Sequence, residues 1–156
     1  MDERKIKNLV KVWYDKANAE TDIFSKFLFL WVCFNAWLAY RTTKPTDRAM
    51  IECLKRRSHR VLDMLNEYDR AFNSTGFKDK IQELKNLSLI SDPTGRRPPI
   101  TIRNICNFDE ICEAIYRIRC TLFHGGKSAS RNRDVKLVKV AGDILQKWVG
   151  NLVNSW

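Results

Sequence analysis

Arg117, Arg119 and His124 bring two guanidinium groups and an imidazole into eight consecutive residues. Imidazole is the side chain suited to exchange protons near neutral pH. Guanidinium holds a phosphate through a two-pronged, charge-assisted hydrogen bond. Together these groups suit the cleavage of a phosphodiester that carries its own nucleophile. RNA is such a substrate: its 2′-hydroxyl attacks once a base removes the proton, an acid protonates the leaving 5′-oxygen, and positive charge steadies the phosphoryl oxygens. That chemistry calls for no metal and no cofactor. One histidine is one short of separate acid and base, and a symmetric homodimer would supply the second.

The element that must position these groups is a helix. Asn107 or Asp109 is suited to cap it, and Ile111, Ile115, Ile118 and Leu122 recur at helical spacing along an inner face. Gly125 and Gly126 stop it, because glycine readily takes the left-handed conformation that closes a helix. His124 is thereby placed at a helix C-terminus, where carbonyl dipoles favour imidazolium and the arginines oppose it. At about 100° per residue, Arg117 returns to nearly the same face as His124, while Arg119 lies about 140° away unless the histidine leaves the spiral. Spacing alone leaves both arginines as candidate phosphate ligands. Lys127 follows directly and is a third cation for the same ligand.

The whole chain of 156 residues, 1–156, reads as a single domain, long enough to bury a core. Its net charge of +10 makes polyanions the natural partners, RNA first, and seven lysines and arginines between 117 and 139 face one acid, Asp134. Five cysteines, odd in number and without a C-x-x-C pair, read as reduced thiols of a cytoplasmic protein. His59 and His124 are the only histidines, and neither stands at zinc-finger spacing from a cysteine, so no metal site is expected. The N-terminus has no secretory pattern.

The periodicity predicts an all-α fold, an antiparallel bundle of about five helices with one long Pro/Arg-rich loop. A first helix over 3–17 carries an apolar stripe of Ile6, Leu9, Val10, Trp13 and Ala17. A second, roughly 22–40, is apolar on all sides, as a central bundle helix is; its apolar run from Phe27 to Tyr40 is too short to span a bilayer unless the charged neighbours Lys26 and Arg41 are included, and no membrane partner is expected. Its one polar residue after Phe27, Asn35, either ties two helices together or lines the same cleft as His124. A third helix begins at Pro45 and Asp47 and runs to about Glu67 or Asp69, with Ile51, Leu54, Ser58, Val61, Leu62 and Leu65 inward and Lys55, Arg56, Arg57 and Arg60 on a basic side. A short helix at 77–87 precedes the loop, about 88–105, where Arg96, Arg97 and Arg103 suit a flap over an anion. The last helix spans about 133–152, and Gly142 marks a possible close approach.

The stretch Arg119-Cys-Thr-Leu-Phe-His124 resembles the signature of the HEPN superfamily, an arginine followed after four to six residues by a histidine near a helix end. Two flanking pieces are similar as well, Phe27-Leu-Phe-Leu-Trp-Val-Cys-Phe-Asn-Ala-Trp upstream and Arg133-Asp-Val-Lys-Leu-Val-Lys-Val-Ala downstream. The resemblance implies an all-helical domain, commonly dimeric with the motifs facing a shared cleft. In many members it also implies a metal-independent endoribonuclease of toxin–antitoxin or antiviral systems. On that basis Arg119 steadies the phosphate and His124 moves the proton, with Arg117, Lys127 and Asn35 as supporting substrate contacts. Where the family pattern has a polar residue after the arginine, this chain has Cys120. That departure makes a noncatalytic RNA- or nucleotide-binding module the competing reading, and an antitoxin-like protein is a further candidate partner.

Overall fold

The computed structural model describes residues 1–87, 90–123 and 131–156; His124 and Lys127 lie outside them. Among the described residues the fold is all-α, with seven helices where about five are expected. They are α1 (Glu3–Ala19), α2 (Ile23–Thr42), α3 (Asp47–Lys55), α4 (Leu62–Phe72), α5 (Phe77–Leu87), α6 (Phe108–Phe123) and α7 (Asn132–Asn154), with a 3-10 turn at His59–Val61.

The short connection after Ala19 folds α1 back on α2, and Asp22 caps α2 by accepting a hydrogen bond from the Ser25 amide at 2.9 Å. α2 lies against both α1 and α7. It is long and apolar enough to cross a membrane by length and composition, and its Phe27, Leu30, Trp31, Cys33, Phe34, Trp37 and Leu38 are buried in the bundle. α7 is the other spine, touching α1, α2, α4, α5 and α6. Its Trp148 packs edge-on against Phe34 of α2 and Tyr68 of α4, each 4.9 Å away between ring centroids, and near Phe108 of α6. The indole N–H donates to the Met64 carbonyl at 2.8 Å, so a large ring is buried with its polar atom satisfied.

Three expectations change. The helix expected from Pro45 to Glu67 or Asp69 is broken after Lys55, because Arg57 takes a left-handed backbone (φ 52°) and Ser58 then caps the 3-10 turn. The break resets the helical phase, so Leu62 is exposed while Met64, Tyr68 and Ala71 take the core positions. On α1, Leu9 is exposed, and Ile6, Val10 and Ala17 are buried. The segment between α5 and α6 contains no helix among its described residues 90–107, and a single antiparallel bridge joins Ile90 to Ile100. Ile90 and Ile102 are buried, which anchors that segment to the bundle.

The close helix approach lies at Gly150 rather than Gly142. A methyl at Gly142 would meet only Phe27 Cδ2, at 4.0 Å, whereas one at Gly150 would fall 2.5 Å from the Tyr14 hydroxyl oxygen. Gly142→Ala is therefore expected to stabilise the fold by about 0.5–1 kcal/mol through helix propensity. Gly150→Ala, which forces Tyr14 aside, is expected to show no gain. Paired thermal melts followed by circular dichroism check the difference.

Candidate functional site

α6 carries both motif arginines, and they point to opposite sides because two residues on a helix are separated by about 200°. Asn107 caps the helix, its Oδ1 accepting from the Glu110 amide at 3.1 Å.

Arg117 faces inward and is 3% exposed. Its Nε donates to Glu113 Oε2 at 2.8 Å, and its Nη1 donates to the carbonyls of Ile90 at 3.2 Å and Pro98 at 2.7 Å. This side chain fastens the loop segment to α6. Of the two candidate phosphate ligands it is the one committed to internal carbonyls.

Arg119 faces outward, toward α3 and α2. Its Nη2 lies 2.9 Å from Asp47 Oδ2, with side-chain exposures of 25% and 19%. The guanidinium carbon stands 4.2 Å from the Phe123 ring centroid and 5.8 Å from that of Trp31. Phe123 is 58% exposed, so a large aromatic surface borders the arginine. Among the described residues, the buried polar atoms Arg119 Nε, Trp31 Nε1 and Asn35 Oδ1 have no hydrogen-bond partner. Asn35 is half-buried and lies one helical turn beyond Trp31 on α2. Arg119 and Trp31 are thus brought together, with Asn35 on the adjoining turn. The positions of His124 and Lys127 relative to them lie outside the described residues.

Behind this face is a buried charge cluster. Glu113 receives Arg48 through two bonds, Nη1 at 2.6 Å and Nη2 at 3.0 Å, together with Lys55 Nζ at 2.5 Å and Arg117 Nε at 2.8 Å. Burial pushes the Glu113 carboxyl up, but the hydrogen bonds from Arg48, Lys55 and Arg117 outweigh it and hold the group well below the usual carboxylate range. Arg48 also lies over the Tyr116 ring, 4.6 Å from its centroid. Burial, with the Cys120 thiol second, pushes the Tyr116 phenol up to about 12 and keeps it protonated at neutral pH.

Sequence reasoning placed Asp47 only as a helix start and did not single out Glu113, Arg48, Trp31 or Phe123 as site residues. One signal for Glu113 is in the sequence: it stands four residues before Arg117, the spacing at which an acid and a cation pair on a helix. Asp47 and Arg119 are 72 residues apart, and their pairing follows from the packing of α3 on α6. Among the described residues, no three His, Cys, Asp or Glu side chains converge in a metal-binding arrangement. Comparison of the chain with protein-family models, with curated proteins and with solved structures gave no match.

Proposed function

We propose that this chain is a metal-independent endoribonuclease of the HEPN type, acting as a homodimer whose two motifs share one cleft. The observation that carries the reading is the setting of Arg119 on α6, five residues before His124. Its guanidinium is oriented by Asp47, its Nε has no partner among the described residues, and an exposed aromatic ring lies against it. A guanidinium so held and a quarter exposed suits a phosphate that arrives from solvent.

In the proposed reaction the 2′-oxygen of one nucleotide forms a bond to the adjacent phosphorus as the bond from phosphorus to the 5′-oxygen breaks. His124 of one protomer accepts the 2′-hydroxyl proton and His124 of the other protonates the 5′-oxygen. Arg119 stabilises the charge gathering on the phosphoryl oxygens. The products are a 2′,3′-cyclic phosphate and a 5′-hydroxyl. The test uses purified protein, labelled RNA and EDTA. Cleavage leaving cyclic phosphate ends is expected, and His124→Ala is expected to lower it by about 100-fold or more. Cleavage that requires a divalent metal overturns the proposal, as does sedimentation showing only monomer in the active preparation.

The Asp47 ion pair also favours a second reading, a noncatalytic module that binds RNA. A carboxylate already occupies one edge of Arg119 and competes with phosphate for it. RNA binding by folded protein without cleavage identifies that case.

A further inference from the structure

α6 carries Phe108, Tyr116 and Phe123 at steps of eight and seven residues, about 12 and 10 Å along its axis; Tyr116 and Phe123 lie within about 20° of one face, and Phe108 stands about 80° round from Tyr116, buried in the core. Each ring has an arginine over it. Arg57 lies 5.4 Å from the Phe108 centroid, Arg48 4.6 Å from that of Tyr116, and Arg119 4.2 Å from that of Phe123. The arginines are held by acids on both helices: Arg57 by Asp109, Arg48 by Glu113 and Glu52, and Arg119 by Asp47.

The surplus charge lies at the end of this row remote from the motif. Arg56, Arg57, His59 and Arg60 are exposed at the break between α3 and α4, with Lys44 exposed beside them. Arg56, Arg60 and Lys44 belong to none of the described ion pairs in this region. This knuckle also contains both non-glycine residues with left-handed backbone among the described residues, Thr43 (φ 55°) and Arg57 (φ 52°). Arg60 links the two turns, donating from Nη1 to Thr43 Oγ1 at 3.4 Å, and its carbonyl accepts from Arg41 Nε at 2.9 Å. Glycine takes such a backbone without strain. An arginine there carries a conformational cost while projecting a guanidinium from the tip of the turn, and strained residues of this kind cluster at functional positions.

We propose that this surface, from the knuckle at 56–60 along α6 to Arg119 and the exposed Phe123 ring, is the bed for an extended single strand of RNA. The knuckle arginines grip phosphates several nucleotides away from the scissile bond. The inference takes RNA as the ligand from the proposed function but does not depend on cleavage. Carboxylates and phosphates both accept the two-pronged bond of a guanidinium, and the exposed Phe123 ring, on which a base can stack, favours a nucleic acid strand over an acidic peptide.

The experiment measures fluorescence anisotropy of a labelled 12-nucleotide single-stranded RNA with His124→Ala protein across a salt series. Adding Arg56→Ala and Arg60→Ala together is expected to weaken binding about 10-fold at low salt. It is also expected to flatten the slope of log affinity against log salt by about 1.4, the loss of two phosphate contacts. Arg57→Gly gives a second reading that a structural role would not produce: an unchanged or higher Tm from relief of the left-handed backbone, together with weaker RNA binding. Unchanged binding and slope in the double variant, with its fold intact, overturn the proposal, as does a poly-glutamate peptide that binds the knuckle more tightly than RNA. Cleavage by the unsubstituted protein is scored separately. Arginine-dependent binding without cleavage leaves this surface standing and removes the nuclease, and cleavage without arginine dependence does the reverse.

Discussion

Glu113→Ala is expected to destabilise the protein by about 3–5 kcal/mol, the cost of removing one partner from a buried ion cluster and leaving the others uncompensated. In a chain of this length that corresponds to a fall in Tm of about 10 °C. Three cations converge on this one carboxylate, and Arg117 and Lys55 are themselves largely buried. Without Glu113, Arg117 keeps its two carbonyl acceptors and loses the carboxylate it is hydrogen-bonded to. The same residue sets an acid limit. Its folded-state pKa is depressed below the ordinary 4.5, so its contribution is fully present above about pH 4.5 and is lost progressively as pH falls below that value toward the folded-state pKa. Wild-type Tm is therefore expected to decline more steeply below pH 4.5 than that of Glu113→Gln, which starts lower and has no proton to gain at this position. Thermal melts of the two proteins between pH 7 and pH 3 measure both effects.

Arg119→Lys is expected to lower kcat/KM for RNA cleavage by about 100-fold, the scale of removing a preorganised donor from a developing anion. Lysine keeps the charge but lacks the planar fork that reaches Asp47 on one edge while stacking on Phe123. The site is a quarter exposed, so Tm is expected to move little. Asp47 acts through Arg119 and is a positioning residue in this scheme. Asp47→Ala is expected to lower kcat about 10-fold with KM changed less, because a displaced guanidinium misses the transition state more than the ground state. Asp47→Asn keeps an acceptor at the same place and is expected to recover most of that loss. If both variants instead raise activity, the carboxylate blocks the phosphate rather than aiming its ligand.

Much of the helical framework was legible because it rests on local periodicity and capping. α2, α5 and α7 lie within two residues of their expected bounds, and the apolar residues that recur at helical spacing along α7, among them Leu137, Val140, Ile144, Leu145 and Trp148, are buried. The break after Lys55 was not legible: an arginine in left-handed backbone carries no glycine to announce it, and the pattern from Ile51 to Leu65 reads equally well as one continuous helix. At the candidate site, the motif placed Arg119 near a helix end, but spacing could not say which arginine faces solvent. Tertiary packing makes that choice by offering Arg117 the carbonyls of Ile90 and Pro98 and Arg119 the carboxylate of Asp47. Partners 19 to 72 residues away leave no trace in a helical period.

Arg117 has a consequence for the wiring of the chain. The exposed tip at Arg96 and Arg97 stands between two roots, Ile90 and Ile100 joined by their paired backbone bonds, with Arg117 holding the carbonyls of Ile90 and Pro98 at once. A peptide bond severed at that tip would leave each root still tied to α6, with the buried packing of α2 against α7 spanning the cut. The polypeptide thus has a seam at which it could be supplied as two separately made fragments that reassemble by docking, with the motif helix carried entirely on the second.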